Sequence, residues 1–248
     1  MVLQNDQKSY AENSDANLFA VLAESLKQPL NGIARTAELL KMHGNELTEQ
    51  SPEMLESIFS TSTQTLRLLD HYQLNVRLQQ ADKEQILTPV SIASVLAETA
   101  HQLETVAHKQ RCDIELVIAG RYEPVLAHGA GLSAALYDLG SILLEGQSEA
   151  EVHGRSVLKL AVHRTHHGIV AGLFSSATHV NAGALKRARQ LQGKARAPFN
   201  QLTATTSAGL FIADALLSTM STGLRVARYQ RTSGLAATFL PSNQLSIV

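Results

Sequence analysis

The polar side chains best placed to do chemistry near the N-terminus share one face of a predicted helix. Glu24, Gln28, Asn31 and Arg35 follow one another at steps of four, three and four residues, and Lys27 lies beside them. The face is predicted to be either an ordinary solvated surface or a surface for a partner.

Histidines form the second group with chemical potential. His163, His166 and His167 cluster among the ten histidines of the chain. Two histidines three residues apart can ligate a metal on a helix, but this segment is predicted to be a turn between strands, where the rings scatter. We therefore expect exposed turn histidines and no metal site.

Other catalytic signatures are missing from the sequence. The single cysteine, Cys112, excludes an internal disulfide and a cysteine-rich zinc site. Patterns of the Gly-x-Ser-x-Gly and P-loop kinds are absent, which weakens hydrolase and NTPase interpretations.

The candidate face belongs to a stretch from Phe19 to Leu40 that is predicted to be helical. Its apolar residues recur at steps of three, four and seven, which forms one stripe. Pro29 lies inside this stretch, although an interior proline removes a hydrogen bond and costs about 3 kcal/mol. A helix that keeps its stripe through a proline is an unusual pattern.

A second long helix follows after a short loop. The first is predicted from about Asp15 to His43, and the second from Pro52 to about Ala81, with Ser51 as its N-cap. The two make an antiparallel hairpin. One hairpin cannot bury both apolar stripes, so we expect a homodimer joined in a four-helix bundle.

The remainder of the chain mixes helices and strands. After a charged linker, strands are predicted at Ile86–Val90, Ile114–Ile118, Val125–Leu126, Val157–Val162, Ile169–Phe174, Leu224–Tyr229 and Leu235–Leu240, and helices at Ile92–Lys109, Leu132–Leu144, Ala184–Leu191 and Ala208–Thr219. The predicted class is α+β: a helical hairpin followed by an α/β sandwich. The predicted domains are a tail (1–15), the hairpin (16–81), the sandwich (86–241) and a tail (242–248).

The hairpin resembles the phosphoacceptor domain of two-component sensor histidine kinases. Leu26, Lys27, Gln28, Pro29, Leu30, Asn31 and Ile33 match or nearly match the family's motif around its phosphorylated histidine, and Glu24 stands at the place of that histidine. The order of elements, with the closing run from Gly234 to Pro241, similarly resembles the family's ATP-binding domain. The resemblance implies that Gln28, one turn after Glu24, corresponds to the water-orienting residue of family phosphatases.

The same resemblance implies that nucleotide binding is lost. Asp138 and Ile142 stand where the family has two asparagines, the second of which binds magnesium. Isoleucine cannot ligate a hard cation. Ser176, Thr178 and Val180 replace the aspartate and glycines of the adenine-binding box, and Gly209 is all that remains of a second glycine box. We expect no bound ATP or magnesium.

These expectations favour a catalytically inactive, homodimeric signalling protein that binds a partner such as a response-regulator receiver. In the family the receiver docks on the helix-one face, here Glu24, Lys27, Gln28, Asn31 and Arg35. Three alternatives remain open: a phosphatase of a phosphorylated receiver, a histidine-phosphotransfer relay protein, and a divergent active kinase.

Composition limits the partners further. The formal net charge of −1 gives no electrostatic reason to expect nucleic acid or an anionic membrane. Apolar runs are shorter than the ~20 residues that span a bilayer, and the polar N-terminus has no signal-peptide core. The sequence therefore predicts a cytoplasmic protein without membrane insertion.

Overall fold

The computed structural model describes residues 26, 29–40, 42, 51–81, 87–148, 155–177, 185 and 204–242. The chain divides into two compact units. The first comprises Met1–Gln73 with Gln190–Ala208, and the second comprises Leu74–Arg189 with Gly209–Val248. The observed α+β class, with a helical N-terminal region and a mixed α/β sheet domain, confirms the predicted class.

The first unit contains helical residues 29–40, called α1, and most of helix α2, Ser51–Gln80. Helix α2 confirms the predicted second helix, and its two ends each lie within one residue of the predicted ones. Ser51, predicted to be the N-cap that precedes the helix, is instead its first residue. Thr65 and Leu68 are buried in this unit. The predicted residues 15–28 and 43 of the first helix lie outside the described residues, apart from Leu26, which is helical.

The second unit is built around a five-stranded mixed sheet, two further helices and, from Gly209 onward, most of a third. The helices are α3 (Ile92–Lys109), α4 (Gly129–Ser148) and α5 (Ala204–Thr219); the strands are β1 (Thr88–Val90), β2 (Cys112–Ile118), β3 (Val125–Ala127), β4 (Ser156–Thr165), β5 (Gly168–Ser175), β6 (Arg225–Tyr229) and β7 (Thr232–Phe239). The large sheet has the order β2-β4-β5-β7-β6, in which only the β2–β4 pair is parallel. Strands β1 and β3 form a separate antiparallel pair. The predicted helix at Ala184–Leu191 lies outside the described residues, except for Leu185.

Helices α3 and α4 pack on each other and against β4, with α3 also on β2 and α4 also on β5. Leucines fill this layer because successive strand residues point to opposite faces, and every second one is apolar. The fully buried members are Leu96, Leu103, Leu132, Leu136, Leu143, Leu158, Leu160 and Leu173. Gly140 allows α3 and α4 to approach closely, since a Cβ there would lie 2.2 Å from Leu103 Cδ1.

The opposite face of the sheet carries a small aromatic group over small residues. The Tyr229 ring stacks on His163 at 5.7 Å between centroids and is tilted against Phe174 at 5.4 Å. Ala161 and Ala236 belong to the same buried cluster as Phe174. Small side chains beneath the rings leave them room to lie across several strands.

The last turns of α2 belong to the second unit and contain an unusual buried group. Leu78 is buried, and its Cδ1 lies 3.0 Å from where a Cβ on Gly131 would stand. Asn75, one turn earlier, has no exposed surface, and neither its Nδ2 nor its Oδ1 has a hydrogen-bond partner. A buried amide without hydrogen bonds costs about 1–3 kcal/mol.

Replacing Asn75 should therefore stabilise the protein. Leucine has the same branching at Cγ without polar atoms, so Asn75→Leu is expected to raise the free energy of unfolding by about 1 kcal/mol or more in urea titrations of the full chain. Asn31→Leu, at an exposed asparagine on α1, is the matched control and should change stability by less than about 0.5 kcal/mol. A loss of stability in both Asn75→Leu and Asn75→Ala would contradict the prediction.

Candidate functional site

The candidate nucleotide site lies where α4 meets α5 at Gly209, within the second unit. Helix α4 begins at Gly129, three residues before the predicted start. His128 precedes it, and the backbone N–H of Gly131 donates to His128 Nδ1 at 3.0 Å. Sequence reasoning missed this cap because histidine is not among the usual capping residues. The cap sets the start of the helix that carries Asp138 and Ile142.

The structure brings together three of the predicted positions. Asp138 and Ile142 lie one turn apart on α4, and each is only 6% exposed. Gly209 of α5 packs against both: a Cβ built on it would be 3.3 Å from Ile142 Cδ1 and 3.9 Å from Asp138 Cβ. The isoleucine side chain therefore occupies the space between the two helices.

This arrangement presents an apolar side chain at the position that the family resemblance assigns to a metal ligand. Ile142 offers no lone pair, whereas a hard divalent cation is held by oxygen ligands. Among the residues that the structure describes, no group of three or more histidine, cysteine, aspartate or glutamate side chains could hold a metal ion.

Ser176 has a structural position at the end of β5. Its Oγ accepts from the Val157 N–H at 3.0 Å, and its own N–H donates to the Val157 carbonyl at 3.1 Å. These bonds extend the β4–β5 pairing by one residue. Thr178 and Val180, the other two positions of the expected adenine box, lie outside the described residues.

The predicted partner face is described only in part. Asn31 and Arg35 are helical and exposed on α1. Glu24, Lys27 and Gln28 lie outside the described residues. The two described members are four residues apart, which keeps them on one side of the helix as predicted.

Helix α2 carries a second apolar stripe that its own unit leaves open. Leu55, Phe59 and Leu66 are 55%, 68% and 62% exposed. With Ser62, they recur at steps of four, three and four residues and so form one line along the helix. The protomer instead buries Thr65 and Leu68, which lie on another side of the same helix. Helix α2 thus has two apolar faces, and only one of them is covered within the protomer.

The His163 region does not form a ligand site in the described part of the chain. The pKa of the His163 imidazole is lowered, mainly by burial and also by the charge of Arg225, so the neutral ring is favoured. His166 and His167 are exposed in the turn between β4 and β5, as predicted.

No described helix is long and apolar enough to cross a membrane.

Sequence comparison finds one family model that matches part of the chain. Residues 14–80 match the family model of the His Kinase A (phospho-acceptor) domain. No curated protein sequence matches the chain.

Solved structures with a similar fold include histidine kinases. ShkA bound to AMPPNP is 19% identical with a TM-score of 0.53 and covers 91% of this chain, which spans only 46% of ShkA. AdeS of Acinetobacter baumannii is 11% identical with a TM-score of 0.56, over 88% of this chain and 98% of AdeS. ThkA, in complex with the response regulator TrrA, is 11% identical with a TM-score of 0.60, over 90% of this chain and 61% of ThkA. At these identities the likeness establishes the fold.

Proposed function

We propose that the chain is a catalytically inactive, homodimeric signalling protein of the two-component sensor histidine kinase family, on the premise that its residues 14–80 match the phospho-acceptor domain model. Its partner would be a response-regulator receiver domain. The observation that carries the loss of catalysis is the packing of Ile142 against Gly209. The observation that favours a dimer is the open stripe of α2.

Loss of nucleotide binding follows from both geometry and chemistry. A buried isoleucine between α4 and α5 fills space and supplies no oxygen to magnesium. Without the metal, the charges on a triphosphate lack their usual neutralising partner. At the N-terminal end, Glu24 stands where the resemblance requires the phosphorylated histidine. Both halves of the kinase reaction therefore lack a required group.

ATP with magnesium should not raise the melting temperature of the full chain. A specific ligand stabilises the folded state by mass action, by about 2.7 kcal/mol at a hundredfold excess over Kd. Differential scanning calorimetry with millimolar nucleotide tests this, and sodium sulfate serves as the control for nonspecific anion effects. An upward shift with ATP and magnesium but not with sulfate would overturn the proposed inactivity, leaving the dimer and partner proposals to be tested separately.

The dimer proposal rests on the exposed apolar line of α2. Three large apolar side chains in one row are a costly surface in water, at about 25 cal/mol per Å². A second hairpin packed along the row would cover them, as helices in four-helix bundles do. The matched domain model points to the same region, residues 14–80.

Charge at the open stripe should break the dimer. Phe59→Glu with Leu66→Glu is expected to give monomers in sedimentation velocity at micromolar concentration, since two carboxylates would be buried in the bundle. Leu126→Glu with Leu240→Glu is the matched control, because both leucines are exposed on the second unit. A wild-type monomer, or a dimer that survives the stripe substitutions, would contradict the proposal.

The proposed receiver surface is the α1 face around Arg35. ThkA, which shares the fold, was solved in complex with a response regulator. Receiver phosphorylation sites are acidic pockets in the family that this chain resembles, and Lys27 and Arg35 would be complementary to them. Asn31 adds a hydrogen-bonding amide on the same side of the helix.

Reversing these charges should weaken receiver binding without affecting folding. Lys27→Glu with Arg35→Glu is expected to lower affinity about tenfold or more, mainly through the association rate, in surface plasmon resonance with candidate receivers. Melting temperature and dimerisation should stay nearly unchanged, because single exposed substitutions change stability by under about 0.5 kcal/mol. Arg77→Glu with Arg121→Glu makes the same change in net charge at exposed sites outside α1. Equal binding by the α1 variant and the parent would refute this surface.

A further inference from the structure

The two outer strands of the five-stranded sheet, β2 and β6, differ in whether the basic side chains near them have acidic partners. On the β2 side, Arg155 lies 3.5 Å from Asp113, and Lys159 lies 3.0 Å from Glu115. Arg164 pairs with Glu123 near the same edge. The basic groups on this side are therefore neutralised by acidic neighbours.

Strand β6 and its turn carry cations without acidic partners. Arg225 and Arg228 on the strand, and Arg231 in the turn, are exposed, and no described carboxylate lies within ion-pair distance of them. Arg225 makes one neutral hydrogen bond, from Nη2 to Thr238 Oγ1 at 3.2 Å. The charge of Arg225 also helps to lower the pKa of His163, as expected for an uncompensated cation.

The backbone of β6 has one open side. In the described sheet its only neighbour is β7, with Arg225 opposite Ala236 and Tyr229 opposite Thr232. Alternate N–H and C=O groups along an outer strand point away from its neighbour and can pair with an added strand. Because side chains alternate between faces, Arg225 and Arg228 lie on opposite faces of this edge.

The turn after β6 places two residues with long polar side chains at positive φ, where the backbone is strained. Gln230 and Arg231 form the two-residue connection between β6 and β7, with φ of 44° and 67°. Asparagine and glycine are favoured at such positions because they accept positive φ most easily. Two hydrogen bonds hold the Gln230 side chain. Its Oε1 accepts from Lys159 Nζ at 3.1 Å, and its Nε2 donates to Tyr229 Oη at 3.4 Å. Arg231 has no such contact and remains exposed, so the strained turn adds a third cation at the end of the open edge.

We propose that the outer edge of β6 binds an extended acidic segment of a protein partner by strand addition. Carboxylates three residues apart in that segment would lie opposite Arg225 and Arg228, about 10 Å apart along the strand. The backbone pairing supplies affinity that is independent of sequence, and the arginines select for negative charge. This surface does not depend on the α1 face or on the proposed receiver.

A synthetic peptide tests the proposal directly. The probe is an end-capped, fluorescently labelled octapeptide, Thr-Val-Glu-Val-Thr-Glu-Val-Thr, with its two glutamates three residues apart. Binding to the full-length protein is measured by fluorescence anisotropy at low and at physiological ionic strength. We expect saturable binding that weakens with salt. We also expect a loss of at least about tenfold when both glutamates are replaced by glutamine, and no binding when they are replaced by lysine.

Two controls separate strand addition from simple charge attraction. A peptide N-methylated on all of its backbone amides keeps the carboxylates but cannot donate ladder hydrogen bonds from either edge, so it should not bind. Arg225→Glu with Arg228→Glu should abolish binding. Arg155→Glu with Arg164→Glu, an equal change of charge at arginines that have acidic partners, should leave affinity within about twofold.

Several results would overturn the proposal. These are the absence of peptide binding, equal binding of the N-methylated peptide, and equal loss in the two double variants. Binding of an oligothymidylate in place of the acidic peptide would show that the edge takes a polyanion instead of a protein strand. Self-association that Arg225→Glu with Arg228→Glu abolishes would show that the edge pairs with a second copy of the chain.

Discussion

The second unit depends on one face of its sheet being sealed by helices α3 and α4. Leucines from both helices and from β4 and β5 are fully buried there, and Gly140 permits an approach at which a Cβ would crowd Leu103. Because this layer fixes α4, it also fixes Asp138 and Ile142 on the side of α4 that faces α5. The candidate site is therefore a consequence of core packing and not of a loop that could rearrange freely.

The proposed loss of nucleotide binding rests mainly on one buried side chain, Ile142. The strands and helices follow the order of the histidine kinase fold, yet Ile142 packs against Gly209 at the position where the family resemblance places a metal-binding asparagine. The fold can be retained without the metal site, because packing requires only volume and apolar surface. Metal binding, in contrast, requires oxygen ligands in a set geometry. The domain can keep its structure while the proposed function shifts to dimerisation and partner binding.

Charge on the protein is distributed unevenly even though its net value is close to zero. The β2 edge of the sheet has paired ions, and the β6 edge has three exposed arginines without acidic neighbours among the described residues. The proposed α1 surface is likewise basic at Lys27 and Arg35. A net charge of −1 conceals these local surpluses, and it is local charge that guides protein association.

The sequence by itself determined the class of fold, the element order and the candidate positions in α4 and α5. Apolar periodicity located α2 and α3 within a residue or two, since burial of a regular stripe is a local property of the chain. Positions 138, 142 and 209 could be named from motif spacing, but only the tertiary structure places Gly209 in contact with Ile142, because they are distant in sequence and belong to different helices. The same holds for the open stripe of α2, the orphan amide of Asn75 and the exposed edge of β6. Each of these features depends on which side chains come into contact when segments distant in sequence pack together. The local pattern of apolar and polar residues does not contain that information.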